Sequence, residues 1–186
     1  MSAGPIMTGP SRAHDDPLVF EGYASRFGVP DLGRDVVERG AFAASLARRG
    51  AGGIRMLFQH DAAQPVGTWL ALREDVHGLF VRGRLNAGVA RAREIASLIA
   101  EGGLDGLSIG FRTRRAVNDA AGRVRRILEL DLWEISLVTF PMQPGARVIA
   151  RPDHRKAAAQ GADAGGLARL VRDAARRINS SERTLA

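Results

Sequence analysis

The chain contains no cysteine. That removes disulfides, thiolate metal sites and cysteine nucleophiles together. Lysine is nearly absent too: of 27 basic residues, all but Lys156 are arginine. With so much Ala and Gly, this bias points to a GC-rich genome as much as to a selected chemistry. No stretch approaches membrane-span length and the N-terminus has no apolar h-region, so neither secretion nor membrane insertion is expected. There is no H-E-x-x-H and no Cys/His cluster, so no metal or other cofactor is expected.

What is present suits one soluble domain with tails. The 186 residues are 45% apolar, which is enough for a proper core. The charge is uneven. Residues 1–146 carry 18 basic and 16 acidic side chains, whereas residues 147–186 carry 9 and 4. The positive field therefore belongs to the C-terminal tail. Contact of that tail with nucleic acid or an acidic partner and a plainly solvated helix face are both open readings.

The expected organisation is a disordered tail over residues 1–16, a folded domain over 17–150, a linker over 151–166 and an amphipathic basic helix over 167–186. Its apolar stripe is Leu167, Leu170, Val171, Ala174 and Ile178. Within the domain, period-2 patterning predicts strands over 18–27, 54–59, 68–72, 79–85, the serine stretch from 103 on, 124–139 and 146–149. Pro65 and Gly67 are expected to turn the chain. Residues 28–40 read as a loop whose acids Asp31, Asp35 and Glu38 fit turn chemistry more economically than catalysis. Helices are expected at 41–49, closed by Gly50, and at 89–101, with Ala92, Ile95, Leu98 and Ile99 as the apolar stripe. About seven strands with two inserted helices predict an α+β barrel or curled sheet.

Three residues bear chemistry. Gly106-Leu107-Ser108-Ile109-Gly110 is a literal G-x-S-x-G. In a nucleophile elbow it would open a helix, but the alternation after it is that of a strand. Taken alone it reads most economically as an ordinary serine at a glycine-rich strand entry; the other reading is that Gly106 and Gly110, on its face, let a substrate backbone approach. The long strand places Leu128, Leu130, Leu132, Glu134, Ser136 and Val138 on one face by strict alternation. A carboxylate among leucines needs a partner. Glu134 either pairs with an arginine or accepts from a histidine. His60 ends a strand, whereas His14 and His154 lie in tails and His77 in a turn. His60 is thus the one candidate general base with strand support, and the set is His60, Ser108 and Glu134.

Four ordered blocks carry a resemblance: GYASRFGVPDLGRDVVERGAF, MLFQHDAAQPVG, GLDGLSIGF and LDLWEISLVTFPMQPGA. From about Phe20 to about Val148 the chain resembles the prohead maturation proteases of tailed bacteriophages, including those of domesticated, phage-like gene transfer agents. The resemblance implies an assemblin-like β-barrel flanked by helices and a serine endopeptidase. It puts the motif histidine on His60 and the motif serine on Ser108. The third member falls on Glu134, with Asp131 as its rival. Implied substrates and partners are the major capsid protein, through its scaffolding segment, and the protease itself, as self-cleavage or as a homo-oligomer. The implied place is the assembling procapsid in the host bacterial cytoplasm. Backbone N–H groups, with Arg112 or Arg114 as helpers, are the expected oxyanion donors. The competing readings are a non-enzymatic capsid or scaffold component and a small-molecule serine hydrolase.

Overall fold

The structure is a computed structural model and is described over residues 19–150. The N-terminal tail, the linker and the C-terminal helix expected from the sequence lie outside the described residues. Eight strands and two helices occur in order: β1 (Val19–Arg26), β2 (Asp35–Val37), α1 (Ala43–Arg49), β3 (Arg55–Phe58), β4 (Asp61–Glu74), β5 (Gly78–Leu85), α2 (Ala90–Glu101), β6 (Gly106–Asp119), β7 (Val124–Val138) and β8 (Val148–Ala150).

The sheet curls on itself. Its hydrogen-bonded order is β2-β7-β3-β4-β5-β1-β8, with β6 on the other side of β7. The two ends then meet. Gly106 bridges Arg147, Leu107 N–H donates to Ala146 O at 2.9 Å, and Val148 N–H donates to Asp105 O at 2.8 Å. Seven strands thus form a closed circuit, with β2 lying outside it. Closure shortens the exposed sheet edges and wraps one apolar core. That core holds Phe20, Met56, Trp69, Leu79, Ile95, Leu107, Ile135 and Leu137, all buried. Phe20 and Trp69 meet edge to face at 5.8 Å, the arrangement that aromatic quadrupoles favour.

β7 is the spine. β6 pairs with it antiparallel along nearly its whole length, while β2 and β3 pair with it in parallel at its two ends. Helix α1 fills the gap between β2 and β3. There the free β7 amides of Leu130 and Leu132 donate to Ala41 O at 3.0 Å and Ser45 Oγ at 2.9 Å. This explains a fully buried serine on α1, since a buried N–H needs an acceptor.

Several expectations are corrected. Pro65 and Gly67 lie inside β4 and do not end it. The pairing with β3 jumps there, from Phe58↔Asp61 to Leu57↔Pro65. A bulge absorbs the residues between, and Pro needs no donor at such a place. Asp61 stabilises the bulge by accepting from Ala63 N–H and Gln64 Nε2, both at 2.8 Å. The 28–40 loop contains β2, a strand too short to show periodicity. Its acids are structural: Asp31 accepts from Asp35 N–H at 2.8 Å, Asp35 takes the fork of Arg125, and Glu38 takes Arg126 at 2.6 Å. Leu98 does not join the α2 stripe and is exposed, whereas Ala92, Ile95 and Ile99 are buried.

The largest correction concerns β7. Strict alternation fails because the register against β6 shifts three times, twice by an extra residue on β7 and once by Arg114 on β6. Phe111 pairs with Leu132 but Gly110 pairs with Glu134, which leaves Trp133 over. Ala116 pairs with Ile127 but Arg115 with Glu129, which leaves Leu128 over. Each bulge reverses the facing of the residues beyond it. Leu130 and Leu132 therefore share the core with Ile135 and Leu137, and Glu134 does not lie among leucines.

Candidate active site

Glu134 and Ser136 face out of the core, on the same side as Gly110 and Ser108, which lie opposite them on β6. Antiparallel partners share a face. Ser108 is thus set directly beside Ser136, one step along from Glu134. Gly106 and Gly110 do share its face, as expected. Their smallness serves this chain's own packing. A Cβ on Gly110 would stand 1.9 Å from Glu134 Oε1, and one on Gly106 would stand 2.4 Å from Val138 O. The glycine at 110 is the space in which the Glu134 carboxylate lies.

His60 arrives from the other side of β7. β3 and β4 are joined by Gln59-His60 alone, and both residues have positive φ, 54° and 60°. This is the sign pattern of a type I′ hairpin turn, normally given to Asn and Gly. Each non-glycine residue in that region costs about 1–2 kcal/mol. Contacts to β7 and to the residue that follows it offset the cost. Gln59 N–H donates to Leu137 O at 3.0 Å, Gln59 Nε2 donates to Thr139 Oγ1 at 2.7 Å, and His60 N–H donates to Ser136 Oγ at 3.1 Å. The turn is strained but tied down, and it carries His60 to Glu134.

His60 Nδ1 lies 2.7 Å from Glu134 Oε1. The carboxylate thereby claims the Nδ1 proton and leaves Nε2 as the basic nitrogen. Ser136 Oγ donates to the second oxygen, Glu134 Oε2, at 2.7 Å. Glu134 is held at both ends, and its side chain is mostly covered while the imidazole is 44% exposed. Among the described residues the Ser108 hydroxyl has no hydrogen-bond partner. The structure brings His60 and Glu134 together, and it brings Ser108 to the neighbouring position without a hydrogen bond to either. Hydrogen bonds of this kind are often long before substrate binds.

Ser108 also lines a cavity of about 220 Å³ with Ser25, Asp31, Asp35, Met142 and Gln143. Asp31 and Asp35 keep their structural contacts there. Gln143 spans the wall, donating to Arg26 O and Val29 O and accepting from Arg26 N–H.

Asp131, the rival to Glu134, lies elsewhere. It accepts from Arg49 Nε and Nη2 at 3.0 and 3.1 Å, Arg48 Nη2 at 2.6 Å, Arg114 Nη2 at 3.0 Å and Trp133 Nε1 at 3.1 Å. These donors, Arg49 first and Trp133 next, outweigh burial and hold its carboxyl well below the usual carboxylate range. The arginine-paired acid of β7 is Asp131, not Glu134. Arg114 is engaged with Asp131, and Arg112 stands opposite that acid in register, four positions along β6 from Ser108, so neither takes the oxyanion role expected of it.

Sequence reasoning placed Ser136 on the same face as Glu134 but gave it no role, although it orients both the turn and the carboxylate. The signal lay in E-I-S, where alternation alone sets the serine beside the acid. Among the described residues no group of His, Asp and Glu is arranged to hold a metal ion. Among them, too, no helix is long and apolar enough to cross a membrane.

Comparison with known proteins places the chain in a family. A family described as caudovirus prohead serine protease matches residues 8–160. The prohead protease of Enterobacteria phage HK97 is 36% identical over 137 residues, 71% of this chain and 59% of that protein. The prohead protease of Escherichia phage T5 is 37% identical over 86 residues, 46% of this chain and 40% of that one. The chain thus spans between two fifths and three fifths of the length of these relatives. In structure it is similar to the capsid assembly protease of bacteriophage T4, with a TM-score of 0.54, 13% identity, and coverage of 66% of this chain and 81% of that one. At that identity the likeness shows the fold, the barrel built here strand by strand.

Proposed function

This chain belongs to the caudovirus prohead serine protease family, and from that premise we propose that it is a serine endopeptidase of capsid maturation, with Ser108 as nucleophile, His60 as base and Glu134 as orienter. Its substrates are then the scaffolding segment of a capsid protein and the chain itself, inside an assembling procapsid. The observation that carries the residue assignment is the 2.7 Å contact of His60 Nδ1 with Glu134 Oε1, on the face that presents Ser108.

The chemistry derives from that arrangement. Ser108 Oγ attacks the scissile carbonyl carbon while His60 Nε2 takes the hydroxyl proton. The carbonyl oxygen becomes an oxyanion, for which nearby backbone N–H groups are the donors. His60 returns its proton to the leaving amine as the C–N bond breaks. Water then adds to the acyl-enzyme by the same route in reverse order. Throughout, Glu134 holds the imidazole in its tautomer and stabilises the imidazolium. Ser136 is a poor alternative nucleophile. It is fully buried, and its proton goes to Glu134 rather than to the ring.

A fluorophosphonate probe tests the nucleophile. The expected result is a single adduct on Ser108, absent in Ser108→Ala and slowed in His60→Ala. An adduct on another serine, or none with the folded chain, would remove the assignment.

A further inference from the structure

On the outer face of β6 and β7, the pairs run Ser108/Ser136, Gly110/Glu134 and Arg112/Asp131. The third pair opens onto a cluster of guanidinium groups. Arg48 and Arg49 come from α1 and Arg114 from β6, and all three reach the one buried carboxylate of Asp131. One fork suffices to neutralise a buried carboxylate, and Arg49 already makes it through Nε and Nη2. Arg48 and Arg114 are surplus to that need. Their side chains are 54% and 47% exposed, and each guanidinium has N–H donors left over. Arg112 is exposed beside them, with no ion pair among the described residues. The local count is four arginines to one acid. Glu129, the next acid on β7, lies across from Arg115.

Four residue steps along the strand separate Ser108 from Arg112, roughly 13 Å at the rise of a β-strand. The edge of β6 turned away from β7 has no ladder partner beyond Leu107 among the described residues. An extended peptide at Ser108 therefore has a course along that edge to Arg112 and Arg114, with Arg48 reaching in from α1 across β7. We infer that this cluster is an acidic-residue subsite, recognising Asp or Glu side chains of the polypeptide substrate a few residues from the bond that is cut. The inference rests on the reading of Ser108 as the nucleophile. A continuous path from that serine favours a peptide over nucleic acid as occupant.

The test uses the full chain, a short glutamate-rich peptide, its glutamine counterpart and a single-stranded DNA oligonucleotide. Binding is read by fluorescence anisotropy on Ser108→Ala, and occupancy of the site by slowed fluorophosphonate labelling of the wild type. The glutamate peptide should bind, lose affinity with added salt and slow the labelling, whereas the glutamine peptide should do neither. Arg48→Gln/Arg114→Gln should weaken peptide binding by about tenfold and label at the wild-type rate when no peptide is present. Arg112→Gln, which removes no ion pair or side-chain hydrogen bond among the described residues, repeats the test should the double variant lose its fold. Equal binding of the two peptides, or undiminished binding to both sets of variants, would overturn the inference. So would tighter binding of the oligonucleotide with the same dependence on the arginines. If no labelling occurs at all, the nucleophile reading has failed, and the anisotropy arms still decide the subsite.

Discussion

Gly110 shows how closely one residue can be tied to the chemistry. It is the only residue type that leaves the Glu134 carboxylate where it lies, since a single methyl would stand 1.9 Å from Oε1. The atom displaced is the tip of a flexible side chain, so the strand can accept the substitution by moving Glu134 away from His60. Gly110→Ala should therefore keep its circular-dichroism spectrum and melting behaviour but lose turnover by about tenfold or more, as for other losses of an orienting acid. Wild-type turnover would mean that the contact does not orient the base. The G-x-S-x-G motif was legible in the sequence, but its meaning was not. Both glycines read as room for a substrate, whereas each makes room for its own partner on β7.

At the scale of elements, hydrophobic periodicity revealed most strands and both helices, because each presents one face to a single core. It failed where backbone pairing breaks the period. The bulges at Leu128 and Trp133 leave no mark on composition, and β2 is too short for any period. The site was legible in part for the same reason. His60 and Glu134 stood out as polar groups on apolar strands, but their meeting depends on the parallel pairing of β3 with β7, which no local pattern encodes. The hairpin between β3 and β4 is the element most exposed to test. Its turn residues have positive φ, which β-branched side chains tolerate worst. Gln59→Val should destabilise the fold by roughly 1–2 kcal/mol in urea denaturation. It should lower turnover beyond that loss, because Gln59 also anchors the turn to Thr139. Unchanged stability and turnover would show that the turn does not hold His60.

For the molecule as a whole, Asp131 joins α1, β6 and β7 through its arginines and so bears on global stability more than on turnover. Its folded carboxyl is depressed below the unfolded value. The contribution is then complete above the ordinary carboxylate pKa of about 3.9 and is lost as pH falls below it. Asp131→Asn should lower the melting temperature at neutral pH and flatten the acid limb of the stability curve, with less effect on turnover than Glu134→Gln. An acid limb as steep as in the wild type, or a greater loss of turnover than in Glu134→Gln, would reverse the roles given to the two acids. The central claim, that Ser108 cuts capsid protein with His60 and Glu134, is tested most directly by one measurement: the mass of the capsid protein co-expressed with this chain. The expected result is a shortened capsid protein with the wild type and a full-length one with Ser108→Ala, from a chain that is itself folded. Shortening that persists with Ser108→Ala would contradict the claim.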